Sequence, residues 1–206
     1  ESVDSLKGRR IAVLGIGVSN TPLIDLLLKN NLPLTVCDMR TEEALGDAAA
    51  QLRERGAQLR LGPGYLDDLD GFDYIFRTPG LLPTDPALVK AKARGAVITS
   101  EMDIFFRLCP CRTIGITGSD GKTTTSSIIA ELLKAAGRRV HLGGNIGKPL
   151  LCEIPDFQPD DIAVLELSSF QLHSINIRPD VAVITNVSPN HLDKHPDFDD
   201  YVNAKR

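Results

Sequence analysis

The sequence contains no tryptophan and few other aromatic or sulfur-containing residues. Its 206 residues include three Tyr, seven Phe, two Met and four Cys. The cysteines are too few and too scattered for a disulfide framework in a chain of this length, so free thiols are expected at Cys37, Cys109, Cys111 and Cys152. A metal site at Cys109 and Cys111 is the alternative, but no second Cys or His pair accompanies them at zinc-finger spacing. We interpret that segment as a linker.

Long apolar runs and excess positive charge are also absent. No stretch approaches the roughly 18 to 20 apolar residues that span a bilayer, and the first four residues, Glu-Ser-Val-Asp, do not resemble a signal peptide. The formal net charge of -4 and the pI near 5.6 argue against a nucleic-acid binder that relies on a basic face. We therefore expect a cytoplasmic globular protein without a membrane or nucleic-acid partner.

Short apolar segments alternate with helical patterns in the first half of the chain. Strands are predicted at 10–14, 34–37, 74–76 and 97–99, and helices at 22–28, 41–55, 86–94 and 102–108. This alternation predicts an α/β domain with a mostly parallel sheet of the Rossmann type, over residues 1–109.

The pattern breaks near Cys109 and restarts at Thr113, so we place a domain boundary between residues 109 and 110. Strands at 113–116, 139–142, 162–167 and 181–187, with a helix at 122–136, predict a second parallel α/β unit over residues 110–206. Residues 197–206 have the acidic start and the spacing of a helix with Tyr201 and Val202 facing inward. Because so small a unit would leave apolar surface uncovered, we interpret the chain as truncated within this P-loop-type domain.

A glycine-rich turn between a strand and a helix is the strongest functional signal. Backbone N–H groups at such a turn converge on an anion at the positive end of the helix dipole. Gly118 and Gly121 allow phosphates to approach the backbone, Lys122 can reach the β and γ phosphates, and the Thr123 hydroxyl can ligate Mg²⁺. The sequence thus predicts an ATP site made of Thr117, Gly118, Ser119, Asp120, Gly121, Lys122, Thr123 and Thr124.

The loop departs from the general phosphate-loop pattern in two places. The first glycine of the general motif is replaced by Ile116. A carboxylate in an anion-binding loop costs electrostatic energy, so Asp120 is expected to face solvent. A chance glycine-rich turn is the alternative, although a strand and a helix flank the loop as the motif requires.

Four segments together resemble a known family. The shorter motif Thr-Gly-Ser-Asp-Gly-Lys-Thr-Thr is similar to the ATP loop of the Mur ligase and folylpolyglutamate synthetase superfamily. Three segments follow it in the order of that family, at 143–147, 165–172 and 186–193. The string Glu-Leu-Ser-Ser-Phe-Gln-Leu within the second of them resembles the D-glutamate-adding branch of the Mur ligases. The resemblance covers the whole chain and is strongest from residue 113 onward.

The resemblance implies an ATP-dependent ligase that joins D-glutamate to UDP-N-acetylmuramoyl-L-alanine through an acyl phosphate in peptidoglycan synthesis. The implied cofactors are ATP and two Mg²⁺ ions. Glu166 ends an apolar strand beside the loop, where a carboxylate can hold Mg²⁺ together with Thr123. His191 follows the next strand and should share the same carboxyl-end rim of the sheet, as a further metal ligand.

The resemblance also assigns catalytic roles to Lys122, His191 and Lys205. It implies that Lys205 carries CO2 as a carbamate, whose oxygens lie near the second metal ion. The residues alone would indicate an ordinary solvated helix lysine at this position, and a surface or helix-capping imidazole at His191. Asn145, Ser168 and His191 are implied contacts of the muramoyl-alanine part of the substrate or of the metal ions.

The first domain carries half of a dinucleotide fingerprint, Gly15-Ile16-Gly17-Val18-Ser19-Asn20, with Asp38 about 20 residues further on. A nicotinamide dehydrogenase would need the complete fingerprint and a substrate domain, and the sequence has neither. The resemblance instead implies a UDP site, and glycines that merely tighten the turn are the alternative. That site comprises Gly15, Ile16, Gly17 and Val18 around the diphosphate, Asp38, Met39 and Arg40 near the uridine, and the loop of Thr78, Pro79 and Gly80.

Three rival functions remain open at this point: a sibling Mur ligase, a folylpolyglutamate synthetase and a non-catalytic nucleotide-binding module. The uridine-type first domain and the Ser-Ser-Phe-Gln string disfavour the first two. In the family a further C-terminal domain holds the incoming amino acid and closes over ATP. We therefore expect this chain to bind its ligands without turning them over.

Overall fold

The computed structural model describes residues 3–147, 149–173, 175, 177–188 and 197–205. The chain divides into two compact units, Glu1–Glu101 and Met102–Arg206, called here the first and second units. Helix Glu101–Leu108 begins at this division, whereas the sequence placed the boundary after it, at 109/110. Phe105 of that helix contacts Phe157 edge to face, with ring centroids 6.3 Å apart, so the helix packs in the second unit.

The first unit is a five-stranded parallel sheet in the order β3-β2-β1-β4-β5. This order and the parallel pairing confirm the Rossmann-type prediction. The strands are β1 Ile11–Leu14, β2 Leu34–Asp38, β3 Gln58–Leu61, β4 Tyr74–Phe76 and β5 Val97–Thr99. The helices are α1 Asn20–Lys29, α2 Glu42–Leu45, α3 Asp47–Glu54 and α4 Pro86–Ala93, preceded by a 3₁₀ helix at Val3–Leu6.

The core of the first unit lies around its central strands. All four residues of β1 are buried, as expected for a parallel strand that is covered on both faces. Leu14 and Ile75 are fully buried in one cluster with Leu88 of α4. Such packing holds the carboxyl ends of β1 and β4 in fixed positions. The loops that follow these strands therefore begin at fixed positions as well.

Two features of the first unit differ from the sequence expectation. The single helix expected at 41–55 is two helices, because Gly46 interrupts it with a backbone φ of 53°. Strand β3 was not predicted, since it is a partly exposed edge strand in which charged and polar residues dilute the apolar pattern.

The second unit has a four-stranded parallel sheet in the order β7-β8-β6-β9, so β6 is central. Ile116 of β6 and Val164 of β8 pack against Ala130 of α6 in its buried core. The strands are β6 Arg112–Thr117, β7 Val140–Gly144, β8 Ile162–Glu166 and β9 Val181–Ile184. The helices are α5 Glu101–Leu108, α6 Lys122–Ala135, α7 Ser169–Leu172 and α8 Phe198–Asn203, with a 3₁₀ helix at Leu151–Asp156.

Strand β9 forms one edge of this sheet and is largely exposed. Val181 and Ile184 are 51% and 48% exposed. In the part of the chain that the structure describes, no helix has the length and apolar character needed to cross a membrane.

Candidate functional site

The loop between β6 and α6 depends on two glycines with unusual backbone conformations. Gly121 precedes α6 with a φ of 76°, in the left-handed region, and Gly118 has a φ of 148°. A Cβ at Gly118 would overlap the Thr185 hydroxyl and crowd the backbone of Asn186. The loop can therefore follow this path only with glycine at position 118.

The segment that follows β9 supports the same loop. The N–H groups of Ser119 and Asp120 donate to the backbone and side-chain oxygens of Asn186, at 3.0 and 3.1 Å. The Thr185 hydroxyl donates to the carbonyl oxygen of Asp120 at 2.6 Å. Two N–H groups expected to face an anion are thus already engaged. The amides at the first turn of α6 have no acceptor within the helix and are the donors left for an anion.

Asp120 itself is exposed, which confirms the expectation that its carboxylate faces solvent. The supporting role of Thr185 and Asn186 was not assigned from the sequence. Asn186 was noted only as the first residue of the segment 186–193, and Thr185 was not noted at all. Neither residue carries a charge that would suggest a phosphate site.

Two ammonium groups converge on this loop. Lys122 Nζ donates to the carbonyl oxygens of Gly118 and Ser119, both at 2.9 Å. Lys205 Nζ donates to the same Gly118 oxygen at 3.1 Å and to Thr117 Oγ1 at 3.2 Å. Lys205 is only 7% exposed, so the view of it as a solvated helix lysine is wrong. Burial, followed by the charge of Lys122, lowers the pKa of Lys205 to about 8.

Helix α8 brings Lys205 to the loop through a buried tyrosine. Tyr201 is 1% exposed, which confirms its predicted inward position. Its hydroxyl lies 2.8 Å from Ser119 Oγ, although the two residues are 82 positions apart in the chain. The Lys205 ammonium lies 4.6 Å from the centroid of the Tyr201 ring. Sequence spacing predicted the inward position of Tyr201, but not the partner that it meets. Val202, which was also predicted to face inward, is only half-buried.

Glu166 lies at the end of β8, beside β6, and is 2% exposed. Its Oε2 accepts a hydrogen bond of 2.7 Å from the Thr123 hydroxyl, and its Oε1 accepts one of 3.0 Å from the Asn145 side chain. The structure therefore brings two of the four predicted metal ligands together. A carboxylate and a hydroxyl beside a phosphate loop are oxygen ligands of the kind that Mg²⁺ prefers, so these residues fit such an ion.

The other candidate metal ligands are Lys205, which lies against the loop, and His191. His191 lies outside the described residues. Among the residues that are described, no three His, Cys, Asp or Glu side chains form a group that could hold a metal ion. An ion bound at Thr123 and Glu166 would complete its coordination with phosphate oxygens and water, as Mg²⁺ commonly does.

Ser168 has a structural partner in its own unit. Its Oγ accepts a hydrogen bond from the Gln171 N–H at 3.2 Å, and the Gln171 side-chain oxygen accepts one from the Ser168 backbone N–H at 3.0 Å. Together these bonds make a capping box at the start of α7. Asn145 is similarly engaged by Glu166. Their contacts with a substrate stay predictions.

A cavity of about 710 Å³ adjoins the loop on the side of Thr117 and Lys205. Its lining is mostly apolar, from β9 and the segment before it, with His173, Arg178, Asp200 and Lys205 as its charged or titratable residues. Thr123 and Glu166 do not line it, so this cavity is separate from the metal position proposed at those two residues.

In the first unit, the turn after β1 is closed by a carboxylate. Gly15 has a φ of 90°, and its N–H donates to the Cys37 oxygen at 2.7 Å. The Ile16 N–H donates to Asp38 Oδ2 at 2.6 Å. Asn20 stands at the third position of the fingerprint and donates its side-chain N–H to the Leu14 and Gly15 oxygens, at 2.9 and 3.0 Å.

Asp38 is 4% exposed and is bound mainly to its own neighbourhood. Arg40 donates to it from Nε and from the backbone N–H, both at 2.9 Å, and Arg40 Nη2 also contacts the Ile16 oxygen. Burial raises the pKa of Asp38, but the hydrogen bonds from Arg40 and Ile16 outweigh it and lower the pKa to about 2. Asp38 thus shapes the turn, while Met39 beside it is 70% exposed.

The loop after β4 meets this turn. A Cβ built on Gly15 would lie 3.4 Å from Thr78, so the two loops are in close contact. Buried Arg77, which the sequence did not single out, donates to the carbonyl oxygens of Thr78, Pro79 and Leu81 and shapes this loop. The strand order reverses between β1 and β4, and open parallel sheets bind ligands at such a point.

The structure thus brings together most of the UDP-site candidates. Gly15, Ile16, Gly17 and Val18 follow β1, Asp38, Met39 and Arg40 end or follow β2, and Thr78, Pro79 and Gly80 follow β4. Asn145 and Ser168, predicted for the same substrate, belong to the second unit.

Two family models match this chain, one in each unit. Residues 9–100 match the model described as Mur ligase MurD-like, N-terminal domain, and residues 116–206 match the Mur ligase middle domain. The chain belongs to the Mur ligase family. Its curated relatives include the UDP-N-acetylmuramoylalanine--D-glutamate ligase of Clostridium kluyveri, 51% identical over 201 residues, and that of Clostridium novyi, 48% identical over 206 residues.

These Mur ligase relatives are longer than this chain. The alignments cover 98% and 100% of the chain but only 44% and 45% of the relatives. A solved Mur ligase from Neisseria meningitides, titled UDP-N-acetylmuramate:L-alanyl-gamma-D-glutamyl-meso-diaminopimelate ligase, has a TM-score of 0.52 at 20% identity and is covered over 66% of its length. That match, over 95% of this chain, supports the fold alone.

Proposed function

We propose that this chain provides the UDP-substrate and ATP sites of a ligase that joins D-glutamate to UDP-N-acetylmuramoyl-L-alanine in cytoplasmic peptidoglycan synthesis. The observation that carries the ATP assignment is the convergence of Lys122 and Lys205 on the Gly118 carbonyl oxygen. The amino-acid specificity is supported by the 51% identity to D-glutamate ligases.

The two ammonium groups create a local site for negative charge in a chain that is acidic overall. They repel each other, and this repulsion contributes to the lowered pKa of Lys205. Phosphate oxygens at the loop would replace the carbonyl acceptors of Lys122 with stronger, charged ones. The first-turn amides of α6 add donors at the positive end of the helix. We therefore place the outer phosphates of ATP at this loop.

Thr123 and Glu166 would hold Mg²⁺ beside those phosphates. The bound ion neutralises charge on the transferring phosphoryl group. In this proposal a carbamate on Lys205, together with His191, serves a second ion. The buried amine supports this, because carbamate formation requires the neutral form and burial increases that form near neutral pH.

In the proposed reaction, the L-alanine carboxylate attacks the γ-phosphorus of ATP and ADP leaves, which forms an acyl phosphate. The amine of D-glutamate then attacks the acyl carbon, and phosphate leaves as the amide forms. Lys122 would orient and neutralise the transferring group, and a carbamate on Lys205 would act through the ion that it helps to hold, so the contribution of both residues is positional and electrostatic.

The first unit would hold the UDP part of the substrate at the meeting of its loops. The exposed side chains of Val18 and Met39 flank the turn that Asp38 and Arg40 close. This arrangement leaves apolar surface beside a turn of backbone N–H groups, which suits a uridine diphosphate. NAD is the rival ligand for this unit.

Calorimetry on this chain tests both sites. We expect binding of UDP-N-acetylmuramoyl-L-alanine in preference to NAD or folate, and separate binding of MgATP. Glu166→Gln should weaken MgATP binding about tenfold or more, because a neutral amide is a poor Mg²⁺ ligand. The matched control is Glu131→Gln, which removes an exposed carboxylate of α6 that pairs with Lys134. A preference for NAD, or equal effects of the two variants, would contradict the proposal.

Turnover is a separate question, because the relatives that carry this activity are more than twice as long as the aligned chain. We expect no D-glutamate-dependent release of phosphate from this chain alone. Phosphate release under those conditions would show that the chain needs no further segment for catalysis. The result would also remove the non-catalytic nucleotide-binding module as an alternative.

A further inference from the structure

A pair of thiols lies outside both candidate ligand sites. Cys109 and Cys111 follow the last residue of α5 and precede β6 in the second unit. Their sulfur atoms are 3.6 Å apart, and the Cys109 thiol also donates to the Cys111 carbonyl oxygen at 3.6 Å. Both cysteines are free thiols. Neither cysteine belongs to the proposed ATP or UDP site, so the pair has no role in the function proposed above.

The local chain geometry explains why the sulfurs meet. Only Pro110 separates the two cysteines and the chain bends at Cys111, so their Cα atoms lie less than about 7 Å apart. A disulfide can span Cα atoms at such a distance. Pro110 between them has a fixed φ and limits the conformations in which the sulfurs could separate. Bond formation requires the sulfurs to approach by about 1.5 Å.

The two thiols differ in accessibility. Cys111 is 8% exposed, whereas Cys109 is partly exposed. Burial raises the pKa of both thiols, that of Cys111 to about 12, and the neighbouring Asp180 and Asp161 carboxylates add to these increases. A reagent from solution therefore reaches Cys109 first, and reaction is slow because little thiolate is present.

We propose that Cys109 and Cys111 are a redox modification site, which low-molecular-weight disulfides convert to an internal disulfide. The Cys109 thiolate attacks one sulfur of the reagent, and one thiol leaves. The Cys111 thiolate then attacks the Cys109 sulfur of the mixed disulfide, and the second thiol leaves. Two protein thiols are oxidised, and one reagent disulfide is reduced to two thiols that take up the two protons.

A metal site is the competing use of such a pair. Structural zinc sites need four ligands. In the described ranges, however, no third His, Cys, Asp or Glu side chain joins the two sulfurs in a group suited to a metal ion. The geometry therefore favours bond formation between the sulfurs over metal binding.

The sequence offers a direct assay. Arg107 and Arg112 flank the pair, so trypsin releases both cysteines in the single peptide Leu-Cys-Pro-Cys-Arg. After incubation of the chain with oxidised and reduced glutathione, acid quenching and alkylation, an internal disulfide leaves this peptide two hydrogens lighter and unalkylated. A mixed disulfide would carry glutathione instead. Exposed Cys152, whose tryptic peptide contains no other cysteine, reports mixed-disulfide formation in the same sample.

The folded chain should favour the internal disulfide over the same chain in urea. We expect an equilibrium constant with glutathione about tenfold larger in the folded state, because folding holds both sulfurs on one side of the chain. Cys111→Ser should trap glutathione on Cys109, whereas Cys109→Ser should leave the buried Cys111 largely unmodified. An equal or smaller constant in the folded chain, or accumulation of the mixed disulfide in the wild type, would overturn the proposal.

Discussion

The two units of this chain share a strand–turn–helix arrangement, but different side chains surround the turn in each. Each has a parallel sheet in which a strand, β1 or β6, runs into a glycine-rich turn and then a helix. In the first unit the turn is closed by a carboxylate, since Asp38 accepts the Ile16 N–H and pairs with Arg40. In the second unit two cations, Lys122 and Lys205, donate to the turn, and the Glu166 carboxylate accepts a hydrogen bond from Thr123.

The comparison teaches that a glycine-rich turn does not by itself select a ligand. Glycine provides the backbone path, and the neighbouring charges decide how much negative charge the turn can accept. A carboxylate that accepts a hydrogen bond from a backbone N–H leaves fewer donors for phosphate, whereas the Lys122 ammonium group favours the highly charged end of a nucleotide. We expect UDP at the first turn and the outer phosphates of ATP at the second on this basis.

The largest expected effect comes from replacing the glycine that the second turn cannot lose. Gly118→Ala should abolish MgATP binding and destabilise the second unit by at least about 3 kcal/mol, because its Cβ would overlap Thr185. Gly17→Ala in the first turn, where no atom lies within 4 Å of a built Cβ, should change stability by less than about 0.5 kcal/mol. Urea unfolding and calorimetry measure both variants. Similar losses for the two would break the comparison.

A second test compares the cations of the two turns by their ability to form a carbamate. Lys205 of the second turn can form one, whereas Arg40 of the first turn cannot form a stable one. With a pKa of about 8, Lys205 has a neutral fraction at pH 7 about 300-fold above that of an ordinary lysine. In ¹³C-bicarbonate we expect a carbamate signal by NMR that grows as pH rises through about 8. The signal should be absent from Lys205→Arg and from the urea-unfolded chain. A signal that survives in Lys205→Arg would assign the modification to another amine.

The carboxylate of the first turn should matter for stability more than for ligand binding. Asp38→Asn should cost about 2 kcal/mol at pH 7, because it removes charge-assisted bonds from Arg40 and Ile16. The folded pKa of about 2 lies below the ordinary value of 3.8, so the contribution is complete above pH 3.8 and is lost as pH falls towards 2.

Urea unfolding of wild type and variant at several pH values measures this difference. Asp25→Asn is the matched control, since it removes a partly exposed carboxylate that pairs with Arg55 in the same unit. That control should cost less than about 1 kcal/mol. A pH-independent difference for Asp38→Asn would show that charge is not the source of the stabilisation.

The smallest expected effect separates a helix cap from a substrate contact. Ser168→Ala should destabilise the second unit by about 1 kcal/mol, because it removes the capping box of α7. Thr41→Ala, at the exposed cap of α2 in the first unit, should cost less, since its bond to the Ala44 N–H is 3.4 Å long. Unchanged stability with weakened substrate binding would instead assign Ser168 to the ligand.

Sequence reasoning predicted the parallel sheets and the phosphate loop because both have local signals. The apolar runs of β1 and β8 and the glycines of the loop lie within short stretches of chain. Strand β3 and the break at Gly46 were missed, since polar residues weaken the first signal and a single glycine is often tolerated within a helix. The pairing of Glu166 with Thr123 was expected from topology, because Glu166 ends a strand next to the loop.

The roles of several other residues could not be derived from local pattern. Tyr201 and Ser119 are 82 positions apart, and nothing in either neighbourhood indicates that they touch. Arg77 resembles any charged residue after a strand, yet it is buried and binds three carbonyl oxygens of the following loop. Such contacts depend on which elements become neighbours in the folded sheet.

The sequence by itself indicated the two α/β units and the glycine-rich loop, through periodicity and glycine placement. The branch of the Mur ligases was indicated by the resemblance of its motif strings. All of these signals are local. Only the tertiary structure decided that Lys205 is buried against the loop, that Asp38 is committed to its own turn, and that the two thiols face each other. Burial, charge proximity and orientation arise from long-range packing, and these determine the pKa of a side chain and the ligands it can bind.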